Sequence, residues 1–451
     1  MSFLNDGARI RRIINEQRAQ RSAARPLGPG LACLVLGGGG REYAIAWRLA
    51  RCDSVRAIDV LPGNAGMSLF ARTIDAPPHD AARVEQHLAA SATDLAIVGP
   101  DELVAQGIGD VIRRAGVPVV CPSREAARLE WSKTYAKDAL REAGVPTPDH
   151  RSFADPQLAR NALRDGPIVV KADGLAAGKG VVVARDRAEA EAALASPAIA
   201  GGAVVLEAVA EGEEASLLAL VDGETVVALP PARDHKRRGD GDRGPNTGGM
   251  GACSPTRVLP DEEAQPLADA LIAPVARLLV RRGTPYRGVL YAGLMRTASG
   301  WMVIEFNARF GDPEAQVILP RIGGDFARLM LALAEGRLAA YLHTNPLRVS
   351  QRAYVDVALV ADGYPGRPRT GDPISIGELP EGVWLFHGAT RRGPDGGFRT
   401  AGGRVLHVVA QGDTPAAARA LAYAAAERIT WPGRSYRSDI AATESGSEVG
   451  A

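Results

Sequence analysis

The segment ACLVLGGGGREYAIAW, residues 32–47, restricts the fold more than any other. Its apolar start reads as a buried strand, and four glycines, Gly37–Gly40, break that strand. A helix then follows, with Ala44, Ala46, Trp47 and Ala50 supplying the apolar positions. Three more apolar runs, VRAIDVL, DLAIVG and PVVC, come at intervals that leave room for helices. Strands alternating with helices specify a parallel, doubly wound sheet, so the class is α/β. A helical stretch from Arg124 to Ala143 leads out of this region, and GVPTP marks its exit.

Three of these strands end in loops rich in glycine and polar residues. The first carries Gly39, Gly40, Arg41 and Glu42, the second Asn64 and Gly66, the third Pro100 and Asp101. Such loops share one edge of an open α/β sheet, the edge where ligands bind. A strand ending in glycines before a helix offers backbone N–H groups to an anion. A dinucleotide fingerprint would need glycine where Glu42 stands, so a phosphate pocket is preferred to NAD. Ordinary turn chemistry gives the same pattern, and no one of these loops is specific.

A second α/β region spans residues from about 145 to 335, with strands in PIVVKADG, GVVVA, AVVLEAVA, SLLALVDGETVVAL and VIEFN. Lysine usage points to function here. Of 53 basic residues only five are lysines, at positions 133, 137, 171, 179 and 236. Arginine replaces surface lysine freely, but not a lysine whose compact ammonium must fit against phosphate. The loop after Lys171, with Gly178, Lys179 and Gly180, suits a mobile lid over polyphosphate and is not GxxxxGK[ST]. The segment 234–255 is a long polar loop in which Asp234, His235 and Lys236 precede Gly248, Gly249 and Met250. Glu305 and Asn307 alternate on one strand and so share a face, giving two hard oxygen donors suited to Mg2+. Arg309 continues that face, suited to fork onto a carboxylate or to form a structural ion pair.

The rest of the chain bounds the possibilities. Residues 1–30 hold six arginines and a Pro/Gly-rich exit, which reads as a short amphipathic helix and a linker. Residues from 350 to 441 read as short strands and one helix, a small mixed lobe. A net charge of +1 gives no global reason to bind nucleic acid or an anionic membrane. No apolar run approaches the roughly 18 residues of a spanning helix. Cys33, Cys52, Cys121 and Cys253 lie far apart without CxxC spacing, which reads as buried thiols in a reducing, cytoplasmic setting.

Glycine lid, lysines and an E-x-N strand together resemble the ATP-grasp enzymes. GGREYAIAW, PGNAG, LEWSKTYAKD, VVKADGLAAGKGVVVA, EGEEAS, DHKRRGDGDRGPNTGGMGA, VLYAGLM and IEFNARFGDPE resemble, in chain order, the phosphoribosylamine–glycine ligase family. The likeness runs over residues 32–441 and includes GGRVL and YRSDI near the end.

That resemblance implies an ATP-grasp architecture: an extension at 1–30, an N-terminal phosphoribosyl-binding domain at 31–134, and an ATP-grasp domain at 135–345. The lid lobe would cover about 135–208, followed by a mixed C-terminal domain at 346–441 and a tail at 442–451. It implies ATP with Mg2+ (or Mn2+) as cofactors, and glycine and 5-phosphoribosylamine as substrates joined through glycyl phosphate. Lys133 and Lys171 would hold ATP phosphates under the 174–180 loop, while Glu207 to Ala210 would meet adenine and Glu214 the ribose. Glu305 and Asn307 would hold metal. Arg309, Asp234 and Lys236 would serve the glycine carboxylate and acyl phosphate, with Gly248, Gly249, Met250 and Asp312 beside the substrates. The N-terminal loops would hold the ribose phosphate. A cytoplasmic monomer or weak homodimer is expected.

The chain departs from the family pattern at several points. Tyr43 replaces a histidine, Ala208 a glutamate, Arg233 a glutamine, Cys253 a tyrosine, and Trp131 a glycine. Position 293, where a second metal carboxylate would be sought, is Gly293. Tyr43 and Arg233 leave open a paralogue that uses the same chemistry on another amine or amino acid.

Overall fold

The computed structural model describes residues 30–175 and 180–445. The expected N-terminal extension and the lid residues Gly178 and Lys179 lie outside them, as does most of the tail. The first five strands, Leu31–Gly37, Val55–Pro62, Arg72–Thr73, Leu95–Val98 and Val119–Val120, form one parallel sheet. Its order is third, second, first, fourth, fifth, so the winding reverses beside the first strand. The helix Gly40–Leu49 is buried at all ten positions, because the sheet covers one side and later parts of the chain cover the other. Trp47, for example, packs against Trp384 and Phe386.

The stretch read as one helix from Arg124 to Ala143 is instead two, Arg128–Trp131 and Lys133–Glu142. Ser132 makes the break: it is extended, and its hydroxyl accepts from Tyr135 N at 3.2 Å. A serine able to cap a helix start competes with the helix it interrupts. The break places Lys133 at the first position of the second helix.

Two antiparallel sheets follow. The smaller runs His150–Phe153, Val204–Glu207, Ile168–Ala172, Val181–Ala184 across its width. The longer runs Thr225–Ala228, Glu213–Asp222, Arg287–Thr297, Gly300–Asn307. A third sheet gathers Arg233–Asp234, Gly251–Ser254, Ala353–Val360, Arg404–Gly412 and Val383–His387, with the helix Pro415–Ala426 packed on it. The terminal lobe is thus built partly on strands from the polar segment at 234–254. Among the described residues no helix is long and apolar enough to cross a membrane.

That polar segment is more ordered than its composition suggests. Arg237–Gly239 and Arg243–Asn246 pair as a hairpin, with Gly241 and Asp242 at positive φ in its turn. The turn is held by the YRSDI stretch, about two hundred residues away. Arg437 meets Asp242 and Asp439 at 2.7 Å and Arg237 O at 3.1 Å, Ser438 N donates to Asp240, and Gly241 N to Asp439. The Arg437 side chain is 2% exposed and Asp439 is mostly buried, whereas Asp242 is open to solvent, so the loss of Arg437 strands one carboxylate. Arg437→Met is expected to destabilise the protein by about 1–3 kcal/mol in urea unfolding. It is also expected to open the hairpin to trypsin at Arg237, Arg238 or Arg243, and equal digestion of variant and wild type would contradict the clamp.

Candidate active site

The helix break at Ser132 organises one end of the cleft. Asp173, after the strand Ile168–Ala172, accepts from the Ser132 hydroxyl and from Thr134 N, both at 3.3 Å. Lys133 Nζ donates to Gly174 O at 2.7 Å. Lys171 reaches Glu207 Oε1 at 2.9 Å, and Lys137 takes the other oxygen at 3.0 Å. All three side chains are almost fully buried. Lys137 also donates to Thr147 Oγ1 at 2.7 Å and Lys171 to Ile304 O at 3.3 Å. One carboxylate therefore ties the smaller sheet, the helix Lys133–Glu142 and the strand Gly300–Asn307.

Glu305 faces this group. Removal from water alone would raise its carboxyl, but Lys236, Lys171, Lys133 and Arg309 outweigh that and hold it below the usual range. Its strand neighbour is Gly293, where a Cβ would sit 3.1 Å from Glu305 Cγ. The Glu305 side chain lies over that glycine. Among the described residues no three His, Cys, Asp or Glu side chains gather as a metal cluster. Asn307 Oδ1 accepts from Arg309 Nη2 at 3.0 Å. Arg309 is also paired with Glu130 at 3.2 Å, and Glu130 accepts from Ala308 N at 2.8 Å. Of the two expectations for Arg309, its contacts are those of a structural ion pair. Lys236 pairs with Glu214 at 2.9 Å. Ala210 lies in the link between the strands Val204–Glu207 and Glu213–Asp222.

At the other end the three glycine-rich loops come together. Gly63 N donates to Gly37 O at 3.2 Å, and Gly99 N to Leu36 O at 3.1 Å. Two residues expected to touch substrate are taken up in building these loops. Glu42 is buried and accepts from Gly39 N at 2.6 Å and from Arg41 Nε at 2.8 Å. Asn64 donates to Gly38 O and His387 O at 2.9 and 2.8 Å, and accepts from Gly66 N and Met67 N. Arg41 reaches across to Phe310 O at 3.0 Å. Pro100 and Asp101 start the helix Asp101–Gln106. Gly40 stands at the first turn of its helix, beside Gln316 and His407.

The middle of the cleft carries residues that the sequence reading passed over. Arg404, from GGRVL, bonds Gly248 O, Asp312 O at 2.9 Å and Asp312 Oδ2 at 2.8 Å. It is the terminal lobe's contribution to the site. Burial would raise the Asp312 carboxyl, but Arg404, His407 and Arg41 outweigh it and hold it well below the usual range. Gly249 N donates to Thr247 Oγ1 at 3.0 Å, and Met250 is wholly buried in the core. Glu314, Glu130 and Lys137 also went without a role, and Glu207 was expected only beside adenine. FGDPE and GGR were the available signals for Glu314 and Arg404, and LEWSK was the signal for Glu130.

The departures fall into packing. Tyr43 is buried and stacks on His387 at 5.6 Å, with Phe70 and Phe386 beside it. Burial pushes the His387 imidazole down to about 3, so it is neutral. Arg233 pairs with Glu444 at 3.2 Å, and Cys253 is its partner across the strands. Trp131 donates to Arg124 O at 3.1 Å. Ala208 N donates to Asp149 O at 2.8 Å.

A small antiparallel sheet and a long one, facing a lysine-lined cleft behind a doubly wound domain, define an ATP-grasp enzyme. Biotin carboxylase domains agree on the fold: that of 2-oxoglutarate carboxylase from Hydrogenobacter thermophilus has TM-score 0.68 at 17% identity, covering 90% of this chain and 91% of that one. Family models described as phosphoribosylglycinamide synthetase match residues 31–130 (N domain), 131–315 (ATP-grasp domain) and 354–443 (C domain). The chain belongs to the phosphoribosylamine–glycine ligase family, whose members are ATP-grasp carbon–nitrogen ligases. The relative of that name from Streptomyces coelicolor is 45% identical, over 92% of this chain and 99% of its own length. That from Rhodopirellula baltica is 41% identical, over 90% and 96%. The crystal structure of phosphoribosylamine–glycine ligase from Thermotoga maritima has TM-score 0.79 at 34% identity, covering 91% of this chain and all of that one.

The buried lysines carry a measurable signature. Burial, opposed by Glu207, holds Lys137 at about 8, below the ordinary 10.5. Between those values the unfolded chain binds a proton that the folded chain has released, so stability rises with pH across that window and is flat below it. Lys137→Met is expected to remove this slope. Urea unfolding of both proteins at pH values across the window checks it, and parallel stability profiles would contradict it.

Proposed function

We propose that the protein joins glycine to 5-phosphoribosylamine at the expense of ATP, giving glycinamide ribonucleotide, ADP and phosphate. The single observation that carries this is the convergence of Lys133, Lys171 and Lys236 on Glu305, in a chain matched by the family's N, ATP-grasp and C domain models. A carboxylate does not react with an amine directly, because oxide is a poor leaving group. Transfer of the γ-phosphoryl group to the glycine carboxylate makes phosphate the leaving group, and the amine then displaces it.

The residues divide this work. Lys133 and Lys171 neutralise ATP phosphates, Lys171 from a fixed seat on Glu207 and Ile304 O. The backbone from Glu207 to Ala210 meets adenine, Glu214 meets the ribose, and Gly178, Lys179 and Gly180 belong to the lid. The donor set suits Mg2+ or Mn2+: Glu305 is kept ionised by its lysines, and Asn307 presents an amide oxygen on the same strand face. Glu305 and Asn307 would hold that metal, which supplies Lewis-acid stabilisation of charge on the phosphate oxygens. Lys236 and Arg309 lend positive charge near the acyl phosphate, with Arg309 acting from its seat on Glu130 and Asn307. Gly39, Gly40 and the loops at Asn64, Gly66, Pro100 and Asp101 hold the ribose phosphate through backbone groups, with Arg41 beside them. Gly248, Gly249 and Asp312, locked by Arg404, form the wall between the two ends. No side-chain nucleophile takes part, so the rate comes from positioning and charge.

Glycine and phosphoribosylamine are favoured over another pair by where the departures point. Arg233 is spent on Glu444, and Tyr43 on an aromatic stack, so neither offers a new polar group to a substrate. ADP release is expected to require ATP, glycine and 5-phosphoribosylamine together, the amine generated in place from ribose 5-phosphate and ammonia. The amide product would be identified by mass. Release without glycine, or with a different amino acid preferred, would refute the assignment. Glu305→Ala is expected to lower Mg2+-dependent turnover by about a hundredfold or more; unchanged turnover would remove Glu305 from the metal site.

A further inference from the structure

The amide-forming step leaves a proton to be placed. When the amine nitrogen attacks the acyl carbon, the new C–N bond forms and the C–O bond to phosphate breaks. The electron pair leaves with phosphate, and the nitrogen sheds one N–H proton. The acids along the cleft are mostly engaged. Asp312 is held by Arg404 and Gln316, Glu214 by Lys236, and Glu130 by Arg309 and Ala308 N. Asp234 differs, because its Oδ1 is enclosed and has no hydrogen-bond partner. It lies at the meeting point of the two ends of the site, against Gly249. A Cβ added at Gly249 would come within 2.7 Å of Asp234 Oδ1 and press on the Pro313 ring, so only glycine separates this acid from the turn before Glu314.

Glu314 has its own anchorage. It is 2% exposed, and its Oε1 accepts from Ser216 Oγ at 3.0 Å. Ser216 is in turn 3.0 Å from Tyr291 OH. Among the described residues Glu314 forms no ion pair with a basic side chain, and the Ser216 hydroxyl holds its carboxyl in place. Taking the glycyl phosphate chemistry above as given, we propose that Asp234 accepts the proton of the attacking amine, and that Glu314, held by Ser216 just beyond the Gly249–Pro313 contact, is its positioning residue.

A carboxylate at its ordinary proton affinity is a poor base at neutral pH. Burial and then Glu314 raise the Asp234 carboxyl well above the ordinary range, against Lys236 and Arg404. Glu214, Tyr291 and Cys253 also face it, from three other strands. The base must be unprotonated to act, so amide formation falls as pH drops through its titration. Removing the Glu314 charge lowers the Asp234 proton affinity and moves that acid limb to lower pH.

Two half-reactions separate the roles. Glycyl phosphate formation is followed by glycine-dependent scrambling of oxygen isotope in the ATP β,γ bridge, with ribose 5-phosphate filling the place of the amine substrate. Amide formation is followed by mass. For Asp234→Asn, amide formation is expected to fall by about a hundredfold, the range typical of a lost general base, and to fall at least tenfold further than scrambling does. For Glu314→Gln, which keeps shape and the Ser216 bond, the acid limb of kcat is expected to move to lower pH. Scrambling and amide formation falling together in Asp234→Asn would overturn the proposal, as would a Glu314→Gln limb that stays in place while the rate drops at every pH. Wild-type enzyme with no glycine-dependent scrambling would overturn the glycyl phosphate reading itself. Normal scrambling with undiminished amide formation in Asp234→Asn overturns only the proton acceptor.

Discussion

Glu207 sits where water has been shut out, with one lysine on each oxygen. Neither lysine would be tolerable there alone, since an unpaired buried ammonium is costly and a pair is stable only when its geometry is satisfied. Lys137 comes from the helix behind Ser132, Lys171 from the small sheet, and both lean on the strand that carries Glu305, through Thr147 and Ile304 O. The triad therefore fixes the small sheet relative to the strand Gly300–Asn307, the proposed seat of the metal. It also explains how Lys137 and Lys171 can stand near Lys133: the shared carboxylate offsets part of their repulsion.

Much of this was legible in the chain. The parallel sheet could be read because its strands are continuous apolar runs, as strands buried on both faces must be. The cleft lysines stood out because the chain uses lysine so rarely. Three things were hidden. The break at Ser132 is a single-residue event inside a helical pattern, decided by one hydroxyl bond. The fate of the polar segment at 234–251 depends on Arg437, Ser438 and Asp439, and no local pattern announces a partner so far along the chain. The occupied carboxylate and amide of Glu42 and Asn64 were also invisible, since sequence gives residue type but not which hydrogen bonds are already made.

The departures from the family pattern make sense in pairs rather than singly. Arg233 and Cys253 are directly opposed across two strands, and the small thiol leaves Arg233 free to reach Glu444. Glu444 also accepts from Thr256 Oγ1 at 3.2 Å and Arg257 N at 2.6 Å, so the pair brings the end of the described chain down onto the strand that leads to Asp234. Tyr43 is matched likewise by aromatic neighbours from the terminal lobe. Both changes strengthen contact between lobes and leave the chemistry-bearing side chains alone.

The third sheet has a consequence for how the protein is made. Its strand Gly251–Ser254 needs Ala353–Val360 as a neighbour, and the hairpin beside it needs Arg437. Domains generally fold in order as they leave the ribosome, but here the strand and hairpin that flank Asp234 and Lys236 wait for Ala353–Val360 and Arg437 to emerge. A polypeptide whose synthesis stops early would hold the lysines of the cleft without the strand that completes them. The site is thus finished late, by residues that lie one to two hundred positions beyond the acid and the lysine they seat.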